Sequence, residues 1–300
     1  RDVDYLVAED EGHGFRKRGN RLAMFAYVED FLADHLDGRY QEEMPDEISK
    51  ELKDMKVDIT KVTVQDNSAD RKMAESAALP DRDLTKLQPM ELTYASKIET
   101  QGRTINREAN RTIKKSELDG EESWMIKDES ETPMGTASDT YYLDMETLLP
   151  VKRNVDQGMV SIELNFSDTL VTGMMKRGNQ EMNINTAFDK PIMGNEGALH
   201  VAITTFPLAA DYSTTLRLFD LMQQKVRPFK LSVAATETVE VNAGSFECHK
   251  IDLKPLDDGE GAATYWVKKE DPRVLVKASA KLPAMAGGGT VTTTLKSMGE

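Results

Sequence analysis

A histidine between two glycines is the residue best placed to do chemistry near the start of the chain. His13 lies in the stretch VAEDEGHGFRKRGNRLAMF, after a short apolar run and before residues with helical spacing. An imidazole changes its charge near neutral pH and can both take up and deliver a proton. Glycine neighbours allow the loop around such a side chain to turn tightly. This pattern alone favours an ordinary turn histidine, with a catalytic histidine as the alternative.

The residues on either side of His13 predict one strand and one helix. VDYLVA, from Val3 to Ala8, has the composition of a buried strand. A helix follows, with Asn20 as its N-cap and Gly38 as its C-terminal stop. Its apolar face, at spacings of three and four, consists of Leu22, Phe25, Val28, Leu32 and Leu36.

This opening closely resembles the C-terminal end of the prolyl oligopeptidase family of serine peptidases, which have an α/β-hydrolase fold. The resemblance rests on EDEGHGFRKRGNRLAMFAYVEDFLADHLDGR and covers about the first 40 residues. It implies that His13 is the general base and acid of a Ser/Asp/His triad, and that the substrate is a peptide. It also implies a periplasmic or secreted enzyme.

The other triad members are absent from the sequence. No G-x-S-x-G motif, which would place a nucleophilic serine on a sharp strand-to-helix turn, occurs in the 300 residues. The nucleophile, the acid and the peptide pocket would all precede Arg1. We therefore predict the C-terminal fragment of a serine peptidase that is inactive by itself.

The composition changes twice along the chain, and this predicts three regions. Residues 1–40 form the end of the peptidase domain, and residues 41–89 form a short helix opened by Pro45 and a polar linker. From residue 90 to residue 300 the apolar period becomes two, with turn signals between ten to twelve short strands. The predicted fold class is α+β: an α/β-hydrolase remnant, a linker, and a mainly antiparallel, open-barrel-like β-domain.

Two segments interrupt the strand pattern of the β-domain. GALHVAITTFPL and STTLRLFDLMQQ, between Asn195 and Gln224, are the best candidates for a helix or a long loop in this half.

The β-domain also resembles an uncharacterised bacterial domain family with an open-barrel shape like that of periplasmic lipoprotein carriers. The similar stretches are TLLPVKR, TETVEVNAGSFECHKIDL and TYWVKKEDPRVLVK. The resemblance implies a curved sheet that could enclose a hydrophobic ligand such as a lipid or an apolar peptide. A structural appendage without a ligand is the alternative.

Composition excludes several other classes of protein. A net charge of -14 argues against nucleic acid as a partner. Binding a phosphate backbone requires Lys and Arg side chains that displace its counterions, and here acidic residues outnumber basic ones. The single cysteine, Cys248, cannot form an internal disulfide, and no run approaches the roughly 18 apolar residues of a transmembrane helix.

No cofactor or metal site is predicted. His249 beside Cys248 lies on a predicted strand, where adjacent side chains point to opposite faces. His200 lies in an apolar segment and is interpreted as a packed or edge histidine. Asp257, Asp258 and Glu260 lack the spacing of a calcium loop and are interpreted as a hairpin tip.

Overall fold

The computed structural model describes residues 4–8, 15, 17–36, 38–41, 43–58, 79–100, 102–133, 135–257, 259–282 and 288–299. The chain divides into two compact units. One consists of Arg1–Asp66 with Ala284–Gly288, and the other of Asn67–Pro283 with Gly289–Glu300. The three regions predicted from the sequence, 1–40, 41–89 and 90–300, stay a prediction.

The described residues of the smaller unit contain two helices that pack on each other, α1 (Arg18–Leu36) and α2 (Asp46–Met55). The buried residues of α1 are small or polar, Asn20, Ala23 and Ala33. The predicted apolar face of α1 is exposed instead, with Phe25 at 58 % and Leu36 at 71 %. Of the strand predicted at residues 3–8, the described residues 4–8 show an isolated antiparallel bridge between Leu6 and Lys56.

The larger unit is an antiparallel β-sheet of fourteen strands in the described residues. The strands are β1 Met90–Thr100, β2 Arg103–Leu118, β3 Glu121–Thr132, β4 Gly135–Asp144, β5 Pro150–Asp156, β6 Val160–Phe166, β7 Leu170–Arg177, β8 Gln180–Ala187, β9 Ser213–Asp220, β10 Lys225–Val241, β11 Gly244–Pro255, β12 Ala263–Lys268, β13 Leu275–Lys281 and β14 Thr290–Met298. A 3-10 turn, Leu84–Lys86, precedes β1, and helix α3, Glu196–Thr204, lies between β8 and β9.

The order of the strands divides the sheet into two arms. Strands β1 to β8 follow one another on one side, β9 to β13 follow one another on the other, and β14 pairs with both β1 and β13. Register shifts within the β1–β14, β4–β5, β10–β11 and β12–β13 pairs bend the sheet locally.

The two edge strands, β8 and β9, approach each other at the far ends of the arms. Thr186 of β8 donates its hydroxyl to the carbonyl of Gln224 at 3.2 Å, and the Gln224 amide donates to the carbonyl of Asn183. Met193, which follows β8, donates its backbone N–H to the carbonyl of Arg217 in β9 at 2.8 Å. The sheet therefore curls until its edges are joined by individual hydrogen bonds instead of a continuous ladder.

Helix α3 occupies the concave side of this curl. It contacts β3, β4 and β13, so that both arms pack on it. Leu199 and Ile203 are almost completely buried, together with Phe206 just beyond the helix. The backbone N–H of Asp83 donates to the carbonyl of Thr205, and the guanidinium of Arg273 donates to the carbonyl of Phe206. Two carbonyls that follow the helix are therefore satisfied.

The predicted fold class is wrong in its α/β part. An α/β-hydrolase needs a parallel sheet with helices on both faces, whereas every pair of neighbouring strands in the described sheet is antiparallel and one helix lies in its concavity. Described residues 4–8 cannot serve as a core strand, because Tyr5 and Val7 are exposed. What the structure contains is a mainly antiparallel β protein.

Candidate binding site

The start of helix α3 lies at the centre of the concave face, and its neighbours hold it there. Asn195 donates its side-chain amide to the carbonyl of Phe219 at 2.7 Å, and its backbone N–H to the hydroxyl of Tyr141 at 3.3 Å. Glu196 follows with a φ of 49°, which turns the chain into the helix. At Gly197 a Cβ atom would lie 2.8 Å from Oδ2 of Asp128, so the helix backbone lies directly against the sheet's charged side chains.

One of these charged groups is the pair of Arg111 and Asp128. The two residues are opposite each other in the β2–β3 ladder. Arg111 donates Nε and Nη2 to the two carboxylate oxygens, each at 2.7 Å, and its guanidinium lies 5.1 Å from the ring centre of Tyr94. A bidentate ion pair of this kind is the strongest interaction that arginine makes with a carboxylate.

A second pair lies on the other side of the helix start. Arg153 of β5 donates Nε and Nη2 to the carboxylate of Asp139 at 3.0 and 2.7 Å, and its guanidinium lies 4.9 Å from the ring centre of Tyr141. Nη2 of Arg153 also donates to Oε2 of Glu196 at 3.2 Å. Arg153 thus connects the sheet to the helix.

The third pair repeats the arrangement on the opposite arm. Arg227 of β10 donates Nε and Nη2 to the carboxylate of Asp257 at 2.8 and 2.6 Å, and Nη1 to Asp220 at 3.4 Å. Its guanidinium lies 5.2 Å from the ring centre of Phe229. Each of the three arginines that are buried among the described residues is therefore held by an aspartate and lies near an aromatic ring.

Two cavities of about 440 Å³ each lie beside the helix start. Chamber 1 is lined by residues of β5, β9 and β10 and of the segment after β9, including Arg153, Phe219 and Arg227. Chamber 2 is lined largely by β1, β2 and β12 to β14. The apolar part of its wall consists of Ala109, Ala263, Leu275, Ala278, Ala280, Leu282 and Val291.

The two chambers share two lining residues, Glu196 and Tyr265. The Glu196 side chain is 68 % exposed because it extends into this open space and not into packed core. Enclosure by the surrounding protein nevertheless raises the pKa of the Glu196 carboxyl; Arg153 opposes that shift and the nearby Asp139 carboxylate adds to it. Burial, helped by the charge of Glu196, also raises the pKa of the Tyr265 hydroxyl.

His200 lies one helical turn beyond Glu196 and lines chamber 2. Burial and the adjacent Arg111 cation lower the pKa of His200 to about 3, although Asp128 opposes the shift. The ring is therefore neutral at physiological pH. Since Nδ1 lies 3.4 Å from both Nη atoms of Arg111, which can only donate, the proton of the neutral ring is on Nε2.

Among the described residues, the histidines and acids considered from the sequence are not brought together. His13 lies outside the described residues. Cys248 and His249 are both buried, but the cysteine thiol donates to the carbonyl of Phe246, and burial raises the pKa of this thiol to about 11. Asp257 serves as the partner of Arg227. Within the described ranges no group of three His, Cys, Asp or Glu side chains could hold a metal ion.

The buried arginines were not predicted from the sequence, although a signal for one of them was present. Arg227, Phe229 and Leu231 alternate along β10, and all three are buried. Period two therefore assigns the arginine to the same inward face as its two apolar neighbours. Glu196 had no such signal, because its proximity to Arg153 depends on the curl of the sheet.

Fold and site together define a class: antiparallel β proteins that wrap one short helix and keep open chambers in their interior. The chain belongs to the DUF3108 family, proteins of unknown function, which matches residues 91–296. No curated protein matches the chain. None of the helices in the described part of the chain is long and apolar enough to cross a membrane.

Two solved structures are similar to the chain. One is a β-barrel-like protein with a domain of unknown function, DUF1849, from Brucella abortus; it has 10 % identity and a TM-score of 0.44, with 71 % of this chain and 98 % of that chain covered. The other, from Bacteroides fragilis, has a YmcC-like fold; it has 12 % identity and a TM-score of 0.31, with 75 % of this chain and 100 % of that chain covered.

Membership of this family overturns the peptidase interpretation. The chain is not the C-terminal end of a prolyl oligopeptidase family enzyme, and the assignment of a hydrolase activity to its parent was wrong. The resemblance covered about the first 40 residues and depended on the Gly-His-Gly-Phe segment and the helix pattern after it, whereas the family matches residues 91–296. The triad role of His13 and the peptide substrate, which that resemblance implied, stay predictions.

Proposed function

We propose that the sheet unit is a binding module whose chambers hold an elongated, largely apolar ligand. The observation that carries this proposal is the pair of chambers, each about 440 Å³, that meet at Glu196 and Tyr265. Ligand pockets in proteins commonly measure roughly 300–1,000 Å³ and combine apolar walls with a few fixed polar groups. A purely structural sheet would fill this space with side chains.

The composition of the walls supports an apolar ligand. Chamber 2 has small aliphatic side chains, such as Ala278 and Ala280, facing an open space. The polar groups at the junction are fixed by the arginine pairs, so that they are preorganised before a ligand arrives.

The experiment measures the binding of an uncharged apolar fluorophore, diphenylhexatriene, to the full chain. We expect saturable binding, with fluorescence enhancement that Ala278→Phe or Ser96→Phe abolishes, since each fills chamber 2. Ala187→Trp is the matched control, because Ala187 is exposed at the end of β8 and lines neither chamber. Circular dichroism establishes that each variant folds. Absence of saturable binding to the folded wild-type chain would refute the proposal.

A further inference from the structure

The charges around the two chambers leave two carboxylates, Glu196 and Asp220, without an arginine of their own. Arg111 is held by Asp128, Arg153 by Asp139, and Arg227 by Asp257, each through two short hydrogen bonds. Glu196 receives one longer hydrogen bond, 3.2 Å, from an arginine that already serves Asp139. The junction of the chambers therefore carries an excess of negative charge.

The position of Glu196 makes this excess significant. The Glu196 side chain is 68 % exposed into the chambers, so a ligand that displaced water there would leave the carboxylate without solvation unless it supplied a cation or hydrogen-bond donors. The neutral His200 adds no positive charge nearby, and Lys281 of chamber 2 is exposed at the end of β13.

We infer that the ligand of the chambers carries a basic group, an ammonium or a guanidinium, that pairs with Glu196 at the junction while its apolar part lies along the wall of chamber 2. This inference rests on the proposed function and specifies the ligand's class. The ring of Tyr265, which also borders the junction, offers a second favourable contact for a cation.

An anionic ligand is disfavoured by the same geometry. Its carboxylate or phosphate would have to displace Asp128 or Asp139 from a bidentate pair, or lie beside the Glu196 carboxylate; the remaining cation among the described lining residues of chamber 2, Lys281, is exposed at the end of β13. The arginines therefore fix the aspartates and do not constitute an anion site.

Three ligands with the same twelve-carbon chain test the inference: dodecylamine, dodecanol and dodecanoate, each kept below its micelle concentration at pH 7. Each competes with diphenylhexatriene for the full chain. We expect dodecylamine to bind at least about tenfold more tightly than dodecanol, and dodecanoate to bind most weakly. In Glu196→Gln, which keeps the shape and removes the charge, the preference of amine over alcohol disappears.

Glu181→Gln serves as the control, because Glu181 is exposed on β8 and lines neither chamber. Equal binding of the three ligands, or a preference for dodecanoate, overturns the inference but leaves the binding module intact. A preference for amine that persists in Glu196→Gln overturns the role of Glu196. If neither the fluorophore nor any of the three ligands binds, the binding module and the inference both fail.

Discussion

At the scale of single residues, paired charges determine how much stability the interior loses when one side chain is replaced. Arg153, with 9 % of its side chain exposed, balances Asp139 and also contacts Glu196. A buried pair of this kind gains little net stability as a pair, but removing one member leaves an uncompensated charge. The same reasoning applies to Arg111 with Asp128.

Arg153→Met is therefore expected to lower the free energy of unfolding by about 3–5 kcal/mol. Urea unfolding can be followed by the fluorescence of Trp124 and Trp266, which both lie in the sheet. Lys176→Met is the control: its pair with Glu181 has both side chains more than half exposed, so a loss of about 0–1 kcal/mol is expected. Equal losses in the two variants would contradict the role assigned to Arg153.

His200 makes the stability of the sheet depend on pH. Its pKa is lowered to about 3 in the folded protein, whereas an unfolded histidine titrates near about 6.5. Between these values the unfolded chain binds a proton that the folded chain rejects. The contribution of the neutral ring is therefore complete above about pH 6.5 and is lost as the pH falls toward 3.

His200→Gln should remove this dependence. Near pH 5 the free energy of unfolding of the wild type is expected to fall more steeply on acidification, by about 1.4 kcal/mol per pH unit, than that of the variant. Urea unfolding at a series of pH values from 4 to 7 measures both slopes. Parallel slopes would show that His200 is protonated equally in both states.

At the scale of elements, the hairpin of β6 and β7 depends on one glycine. Gly173, with a φ of 154°, pairs with Leu164, and a Cβ atom there would lie 1.9 Å from the carbonyl oxygen of Glu163. No side chain fits without displacing the neighbouring strand.

Gly173→Ala is expected to be more destabilising than Gly178→Ala by roughly 1–3 kcal/mol. Gly178, in the next turn, also has a positive φ, 58°, but a Cβ atom there would meet no other atom within 4 Å, so that only the backbone cost of about 1–2 kcal/mol applies. Thermal unfolding followed by circular dichroism compares them. If the two variants unfold alike, the clash is relieved by a shift of β6.

Local patterns predicted many elements but not the way they meet. The apolar segment GALHVAITTFPL contains helix α3, one of the two outcomes predicted for it. STTLRLFDLMQQ, predicted as a helix or long loop, instead contains strand β9. The alternation of Leu216 and Leu218 was obscured by Phe219, which is buried in a second core on the other side.

The site was less accessible to sequence reasoning than the strands. Arg153 and Glu196 are 43 residues apart and become neighbours because the sheet curls around α3. No local sequence period indicates that these two residues are close in space. The family resemblance based on the glycine-flanked histidine is not supported by the family to which the chain belongs. Contacts between side chains that form only through long-range strand pairing cannot be predicted from a local sequence pattern.

At the scale of the whole molecule, one strand holds the two arms together. β14 pairs with β1 through eight residues and with β13 through five, and Leu295 at its centre is completely buried. Removing it would leave β1 and β13 without a shared neighbour.

A chain that ends at Leu282 is expected to lose the cooperative unfolding transition seen by tryptophan fluorescence. A synthetic peptide of residues 288–299 should restore it, because the peptide supplies the missing ladder. The same peptide with Leu295→Asp should not, since a charge would be buried in the core. Native-like unfolding of the shortened chain alone would show that the arms hold together through helix α3.

The place of β14 also has a consequence for biosynthesis. The side chains of Ser96 and Thr293, which hydrogen-bond across β1 and β14, are 197 residues apart in the chain. At the usual synthesis rate of about 5–20 residues per second, one edge of β1 waits on the ribosome for roughly 10–40 s without its partner. A nascent chain in that state presents an unpaired strand edge, which is the kind of surface from which aggregation starts.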